Sequence, residues 1–220
     1  MGAPPPDKFP LRHIAVEGPI GVGKTSLVAL LAKRFSGTQV LEDVANNPFL
    51  AEFYQGKPGA AFQTQIFFLL SRFKQQQEIA QMDLFKHLVI SDYTFYKDKI
   101  FASLTLSDAE LGLYNNVYAP LKDGVPRPDL VVHLTASVET CLNRIKKRGR
   151  SYEKGISAEY LKSLMEAYNY FFYHYRETPL LVVETNEIDF VERKEDLEDL
   201  VQQITRPFRG TQVYVPRGSR

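Results

Sequence analysis

Between positions 18 and 26 the chain reads Gly18-Pro19-Ile20-Gly21-Val22-Gly23-Lys24-Thr25-Ser26, a Gly-x-x-x-x-Gly-Lys-Thr phosphate-loop pattern. Each constrained position suits an anionic ligand. Gly21 and Gly23 let backbone N–H groups turn inward around phosphate oxygens, Lys24 brings a point charge to the β- and γ-phosphates, and Thr25 offers a hydroxyl to Mg²⁺. An apolar, strand-like run ending at Glu17 precedes the loop. A helix-like run, Leu27-Val28-Ala29-Leu30-Leu31-Ala32, follows it and adds a positive N-terminal end. A plain glycine-rich turn would leave the agreement of loop and flanks unexplained. The pattern calls for a nucleoside triphosphate with Mg²⁺ and leaves open what receives the phosphate.

Further groups able to do chemistry follow later apolar runs. Glu42 comes directly after Gln39-Val40-Leu41 and is placed to take a proton from an attacking hydroxyl; the alternative is a solvated turn carboxylate. Asp92 ends the run before Tyr93 and suits the Mg²⁺ shell, or else a helix cap. Lys97, Asp98 and Phe101 open the next helix, where Asp98 is either a ligand contact or a first-turn acid paired with a lysine. Arg144 and Arg148 lie one helical turn apart, with Gly149 ending the helix and Arg150 and Glu153 beyond it. Guanidiniums there would neutralise a transferring phosphoryl group, or simply complement a helix C-terminus. In the apolar segment from Ala60, Gln63 and Gln65 need partners if buried, and a planar amide can hold a base edge.

The elements that must position these groups alternate. Strands are expected at Ile14–Glu17, Gln39–Leu41, His87–Ser91, Leu130–Leu134 and Leu180–Val183. Helices are expected at Lys24–Phe35, Phe49–Tyr54, Ala60–Met82, Lys97–Leu104, Asp108–Leu121, Ser137–Lys147, Ser157–Arg176 and Glu195–Ile204, with Ser137 and Ser157 as N-caps. Four strands are dense in Val, Ile and Leu without alternation, as in a sheet covered on both faces. This predicts an α/β fold, a five-stranded parallel sheet with ligands beyond its carboxyl ends. The 220 residues fit one domain, with 1–10 as a flexible lead-in and 216–220 as a tail outside the fold. A net charge of +1 gives no reason to expect a nucleic-acid polymer or a membrane as partner. With a single cysteine, Cys141, no internal disulfide can form, and with no long apolar run the expected location is the cytoplasm.

Together these stations resemble the deoxyribonucleoside kinase family, from about Arg12 to about Tyr175. Val40-Leu41-Glu42-Asp43-Val44 is similar to that family's Glu-Pro-Val segment, which implies Glu42 as general base on a nucleoside 5′-hydroxyl. Phe53-Tyr54 with Phe62-Gln63-Thr64 resembles the stretch whose Tyr binds the sugar 3′-hydroxyl and whose Gln binds the base. Asp92-Tyr93 through Ala102 resembles the acid-Arg-Ser segment with its later Asp and Phe, implying Asp98 and Phe101 at the base. Arg144 through Glu153 resembles the arginine-rich lid, whose Glu also reaches the sugar.

The chain departs from the family at Tyr93, where an Arg is usual, so that Lys97, Arg72 or a lid arginine would have to compensate. It also lacks Trp entirely, and Leu70 is read as standing where some relatives carry a base-contacting Arg. The resemblance thus implies a P-loop kinase fold and γ-phosphoryl transfer from ATP to a deoxynucleoside, with a purine expected and deoxyadenosine ranked first. It implies a homodimer as well. The nearest alternative is a nucleoside monophosphate kinase of thymidylate-kinase type. A GTPase reading of Thr185-Asn186-Glu187-Ile188-Asp189 lacks the lysine such a motif needs.

Overall fold

The computed structural model describes residues 11–83 and 88–216. The expected lead-in, His87 and the last four positions lie outside them.

Among the described residues six strands form one parallel sheet: β1 (His13–Glu17), β2 (Thr38–Val40), β3 (Val89–Ser91), β4 (Leu130–Thr135), β5 (Leu180–Glu184) and β6 (Thr211–Tyr214), in the order β2-β3-β1-β4-β5-β6. The five-stranded expectation is corrected by β6. This strand pairs with β5 only and alternates exposed and half-buried residues, so its sequence carries little of the apolar density that marks the central strands. β1 is buried along its whole length between β3 and β4, which places the loop after it at the middle of the carboxyl edge.

Eight helices among the described residues surround the sheet: α1 (Lys24–Phe35), α2 (Leu50–Tyr54), α3 (Ala60–Asp83), α4 (Lys97–Thr105), α5 (Asp108–Lys122), α6 (Val138–Arg148), α7 (Ala158–His174) and α8 (Lys194–Thr205). Their ends fall within two residues of the expected ones. Ser137 and Ser157 accept from the backbone N–H of Thr140 and Tyr160, each at 3.1 Å, as N-caps should. Ser107 and Glu110 form a reciprocal capping box that starts α5. The main core joins both sheet faces to α1, α6, α7 and α8. A second cluster of Leu69, Phe95, Ala102, Tyr114 and Tyr118 binds α3, α4 and α5 together. That cluster matters for function, because α3 and α4 present Arg72, Lys97 and Asp98, described below. No helix among the described residues is long and apolar enough to cross a membrane.

Candidate active site

The loop between β1 and α1 is shaped by close packing. Gly18 has φ +144°, and a Cβ there would stand 2.4 Å from the Leu134 carbonyl oxygen; at Gly21, φ +85°, it would stand 2.6 Å from that of Cys141. Only glycine fits either position. Gly23 precedes α1 without a side-chain cap, and the first turn of α1 carries no acid, so its N–H groups remain available for an anion. Lys24 donates to the carbonyls of Gly18 (2.8 Å) and Pro19 (3.0 Å). Burial, reinforced by the charge of Lys97, pulls the Lys24 ammonium down to about 8 against the opposing pull of Glu17, Asp92 and Glu42.

Asp92, just past β3, ties the first turn of α1 to the segment after β2. One carboxylate oxygen accepts from the Thr25 hydroxyl at 2.9 Å, and the other from the Glu42 backbone N–H at 2.7 Å. Among the described residues no group of three or more His, Cys, Asp or Glu is arranged to hold a metal. One hydroxyl beside one carboxylate is nevertheless what Mg²⁺ needs when phosphate oxygens and water complete its shell, so Thr25 and Asp92 fit that ion.

Glu42 is engaged on both oxygens. Arg72 from α3 donates to Oε1 through Nε (2.8 Å) and Nη2, while Lys97 from α4 lies 2.5 Å from Oε2. The same guanidinium donates through Nη1 to Asp98 and lies over the Phe68 ring at 4.8 Å. These side chains are at most 10 % exposed. Burial alone would raise the Glu42 carboxyl, but Arg72 and Lys97 outweigh it and hold the group at about 2.

Three expectations are corrected here. Gln63 is exposed on α3 and does not line the cleft; Gln65 is 2 % exposed and does. Two residues turn a helix by about 200°, so the neighbouring glutamines face opposite ways. Gln65, Phe68 and Arg72 share a face at i, i+3 and i+7, and this phase could have identified Gln65 from the sequence. Leu70 is half exposed, and the arginine at the site is Arg72, two residues on, so Asp98 is not free of a competing cation. Tyr93 is fully buried, does not line the cleft, and donates its hydroxyl to Gln75 Oε1 at 2.9 Å, tying β3 to α3.

Most of the remaining expected residues border two adjoining clefts; Gly18, Pro19, Val22 and Asp98 line neither, the first three being loop residues packed beneath the clefts' floor. The first, about 870 Å³, is lined by Lys24, Thr25, Glu42, Tyr54, Arg72, Asp92, Lys97, Phe101, Arg148, Arg150 and Glu153, among others. Asp98 sits behind its wall, paired with Arg72. Three buried polar atoms of its lining residues have no protein partner: Thr64 Oγ1, Gln65 Oε1 and the Tyr160 hydroxyl. Orphaned groups of this kind need a ligand or water. The lid is a 3-10 turn, Ser151–Gly155, in which Glu153 is gripped by Arg148 at 2.5 and 3.1 Å.

The second cleft, about 1030 Å³, adjoins the first at Gly21 and Arg148 and is lined by Gly23, Ser26, Arg144, Lys147 and the segment Ile188–Glu192. Arg144 does not face the first cleft. It donates to the carbonyls of Val22 (3.0 Å) and Thr185 (2.9 Å) and to the Thr185 hydroxyl (3.1 Å), and so braces the phosphate loop. The 188–192 segment was not expected to be functional, since only the juxtaposition of α6 and the loop after β5 makes it a wall.

A phosphate loop at the meeting point of two clefts suits transfer between two bound molecules. The family model described as deoxynucleoside kinase matches residues 14–208. The chain belongs to the deoxynucleoside kinase family. It is 38% identical over 196 residues to the deoxyguanosine kinase of Bacillus subtilis, covering 87% of this chain and 95% of that one. It is also 38% identical to the deoxyadenosine kinase of Dictyostelium discoideum, covering 87% and 77% respectively. Among solved structures, the deoxyadenosine kinase from M. mycoides with bound dATP superposes with a TM-score of 0.76 at 27% identity, over 89% of this chain and 100% of that one. The same enzyme with the products dCMP and a flexible dCDP bound gives 0.76 at 28% identity, over 87% and 98%. As a family member with nucleotide-bound neighbours, the chain is an ATP-dependent deoxynucleoside kinase.

Proposed function

We propose that the enzyme phosphorylates the 5′-hydroxyl of a purine deoxynucleoside held in the first cleft, with ATP in the second and its phosphates reaching Mg²⁺ at Thr25 and Asp92 where the clefts meet, as a nucleotide-salvage step in the cytoplasm. The reading is carried by one observation: the buried carboxylate of Glu42 and the phosphate-loop Lys24 border the same cleft. Glu42 takes the hydroxyl proton as the 5′-oxygen attacks the γ-phosphorus. Lys24 and the lid residues Arg148 and Arg150 balance charge on the phosphoryl group. Thr25 and Asp92 would hold Mg²⁺, which would add further neutralisation of the phosphate oxygens. Tyr54 and Glu153 position the sugar, and Gln65 and Arg72 with Phe101 address the base, while Asp98 fixes Arg72 from behind the wall.

Deoxyadenosine loses its rank within the purines, because the glutamine assignment and the unopposed aspartate behind it do not hold. Arg72 has spent three of its five N–H groups on Glu42 and Asp98. The two that remain favour a base edge rich in acceptors. Gln65 Oε1 is an open acceptor, while its Nε2 is engaged with Thr105 at 3.2 Å. Guanine offers O6 and N7 to an arginine and N1–H to the amide oxygen; adenine sets its exocyclic amine against the guanidinium. We therefore rank deoxyguanosine first. Leu70 on α3 and Leu113 and Val117 on α5 stay exposed, and we read this face as covered by a second copy in a homodimer. Light scattering tests the dimer.

The function is tested with γ-labelled ATP, Mg²⁺ and a panel of the four deoxynucleosides, their ribose counterparts and their 5′-monophosphates. Label should pass to deoxyguanosine and, more slowly, deoxyadenosine. Label on a monophosphate instead would establish the monophosphate-kinase alternative.

A further inference from the structure

The first cleft contains a cation that the reading above leaves without a chemical task. Lys97 is 5 % exposed, opens α4, and brings its ammonium to Glu42 Oε2 at 2.5 Å and over the Phe101 ring at 5.4 Å. It lines the cleft beside Lys24, Thr25 and Asp92, and its charge is felt at Lys24. Arg72 alone already gives Glu42 Oε1 two donors and is itself fixed by Asp98, so Glu42 does not depend on Lys97 for a counter-ion. A second buried cation on a carboxylate that must act as a base weakens that base. Such an arrangement needs a compensating gain elsewhere in the reaction.

We propose that Lys97 is a catalytic residue whose charge passes from Glu42 to the transferring phosphoryl group. The inference rests on the kinase reading above. In the step, the 5′-oxygen forms a bond to the γ-phosphorus as the bond to the β,γ-bridging oxygen breaks and ADP departs. The hydroxyl proton moves to Glu42. Protonation leaves Glu42 neutral, so Lys97 loses its counter-charge as negative charge gathers on the phosphoryl oxygens and the new 5′-phosphate. The ammonium is stabilised by Glu42 before the step and stabilises the phosphoryl group during it. A contact made only in the transition state raises turnover more than substrate affinity. Tyr93, buried with its hydroxyl on Gln75, cannot share this task, and Arg72 is held between two carboxylates.

The test compares Lys97→Met, Lys97→Arg and Lys99→Met with the unaltered enzyme, using ATP, Mg²⁺ and the deoxynucleoside that ranks first in the panel. Lys99 is an exposed lysine of the same helix and serves as the charge control. Lys97→Met should lower kcat by about 100-fold, in the range seen when one transition-state donor is lost, while nucleoside KM stays within about threefold. Affinity for the 5′-monophosphate product should fall by about tenfold, the worth of one charge-assisted contact. Lys97→Arg should recover part of kcat, and Lys99→Met should match the unaltered enzyme. If Lys97→Met does not fold, Lys97→Gln takes its place, keeping a polar head without the charge: kcat and product affinity within twofold of the unaltered enzyme would overturn the proposal. It is also overturned if Lys97→Met keeps kcat within twofold, or if KM rises by the factor that kcat falls. No transfer by the unaltered enzyme to any deoxynucleoside would overturn the kinase reading as well, and so is told apart from failure at Lys97 alone.

Discussion

The two clefts that meet at the phosphate loop are built differently. The acceptor side is walled by charges at most 10 % exposed, with Glu42, Arg72, Asp98 and Lys97 in one continuous ion-paired set carried by α3, α4 and the end of β2. The donor side is walled by backbone, by the exposed Lys147 and Arg148, and by the 188–192 segment. A buried set of this kind has one arrangement, since losing any member strands a charge away from water. It therefore offers a fixed pattern of donors and acceptors, and is suited to choosing a base. On the proposed assignment, the donor side meets what every nucleoside triphosphate shares, its phosphates. The expected consequence is a stringent acceptor site beside a permissive donor site.

The contrast is sharpened most by the glutamines. Gln65→Ala should lower kcat/KM for the preferred deoxynucleoside by about 100-fold, because the base loses its partner and buried polar groups on both sides are left unpaired. Gln63→Ala, on the outer face of α3, should change it by less than twofold; equal effects would undo the face assignment. On the donor side, Lys147→Ala removes an exposed charge and should raise KM for ATP by about fivefold, in keeping with the small worth of solvated charges, while deoxynucleoside KM is unchanged. A larger loss there than at Gln65 would reverse the comparison.

The smallest effect is that of pH on the donor. Lys24 sits at about 8, lowered first by burial and then by Lys97. As pH rises through that value the ammonium gives up its proton and with it its attraction for phosphate. KM for ATP should therefore rise by about threefold between pH 7 and 9, less than the loss of charge alone would give because bound phosphate restores part of the pKa. A KM flat to pH 9 would show that the charge of Lys24 is not exposed to titration.

What the sequence made legible was local. The phosphate loop, the strands beside it and the caps at Ser137 and Ser157 are each written in a few consecutive residues. Glu42 and Asp92 followed from the rule that ligands gather past strand ends. Helix phase was equally available, but Gln63 was read from its neighbours rather than from the face shared by Gln65, Phe68 and Arg72. The pairing of Arg72 with both Glu42 and Asp98 spans 30 and 26 residues and depends on how α3 packs against α4, which no local pattern records. Tyr93 looked like a missing cation because its position in the sequence was clear and its burial was not. β6 escaped because an edge strand with one exposed face lacks the apolar density of the central ones.

The chemistry proposed for the acceptor cleft requires Glu42 to be the group that takes the proton. Its most direct test measures deoxynucleoside binding by calorimetry and phosphoryl transfer by γ-labelled ATP on Glu42→Ala beside the unaltered enzyme. Turnover should fall by at least about 1000-fold, a general-base effect, while the deoxynucleoside still binds within about tenfold, Arg72 remaining paired with Asp98. Turnover within tenfold of the unaltered enzyme would contradict the assignment and with it the chemistry given to the acceptor cleft.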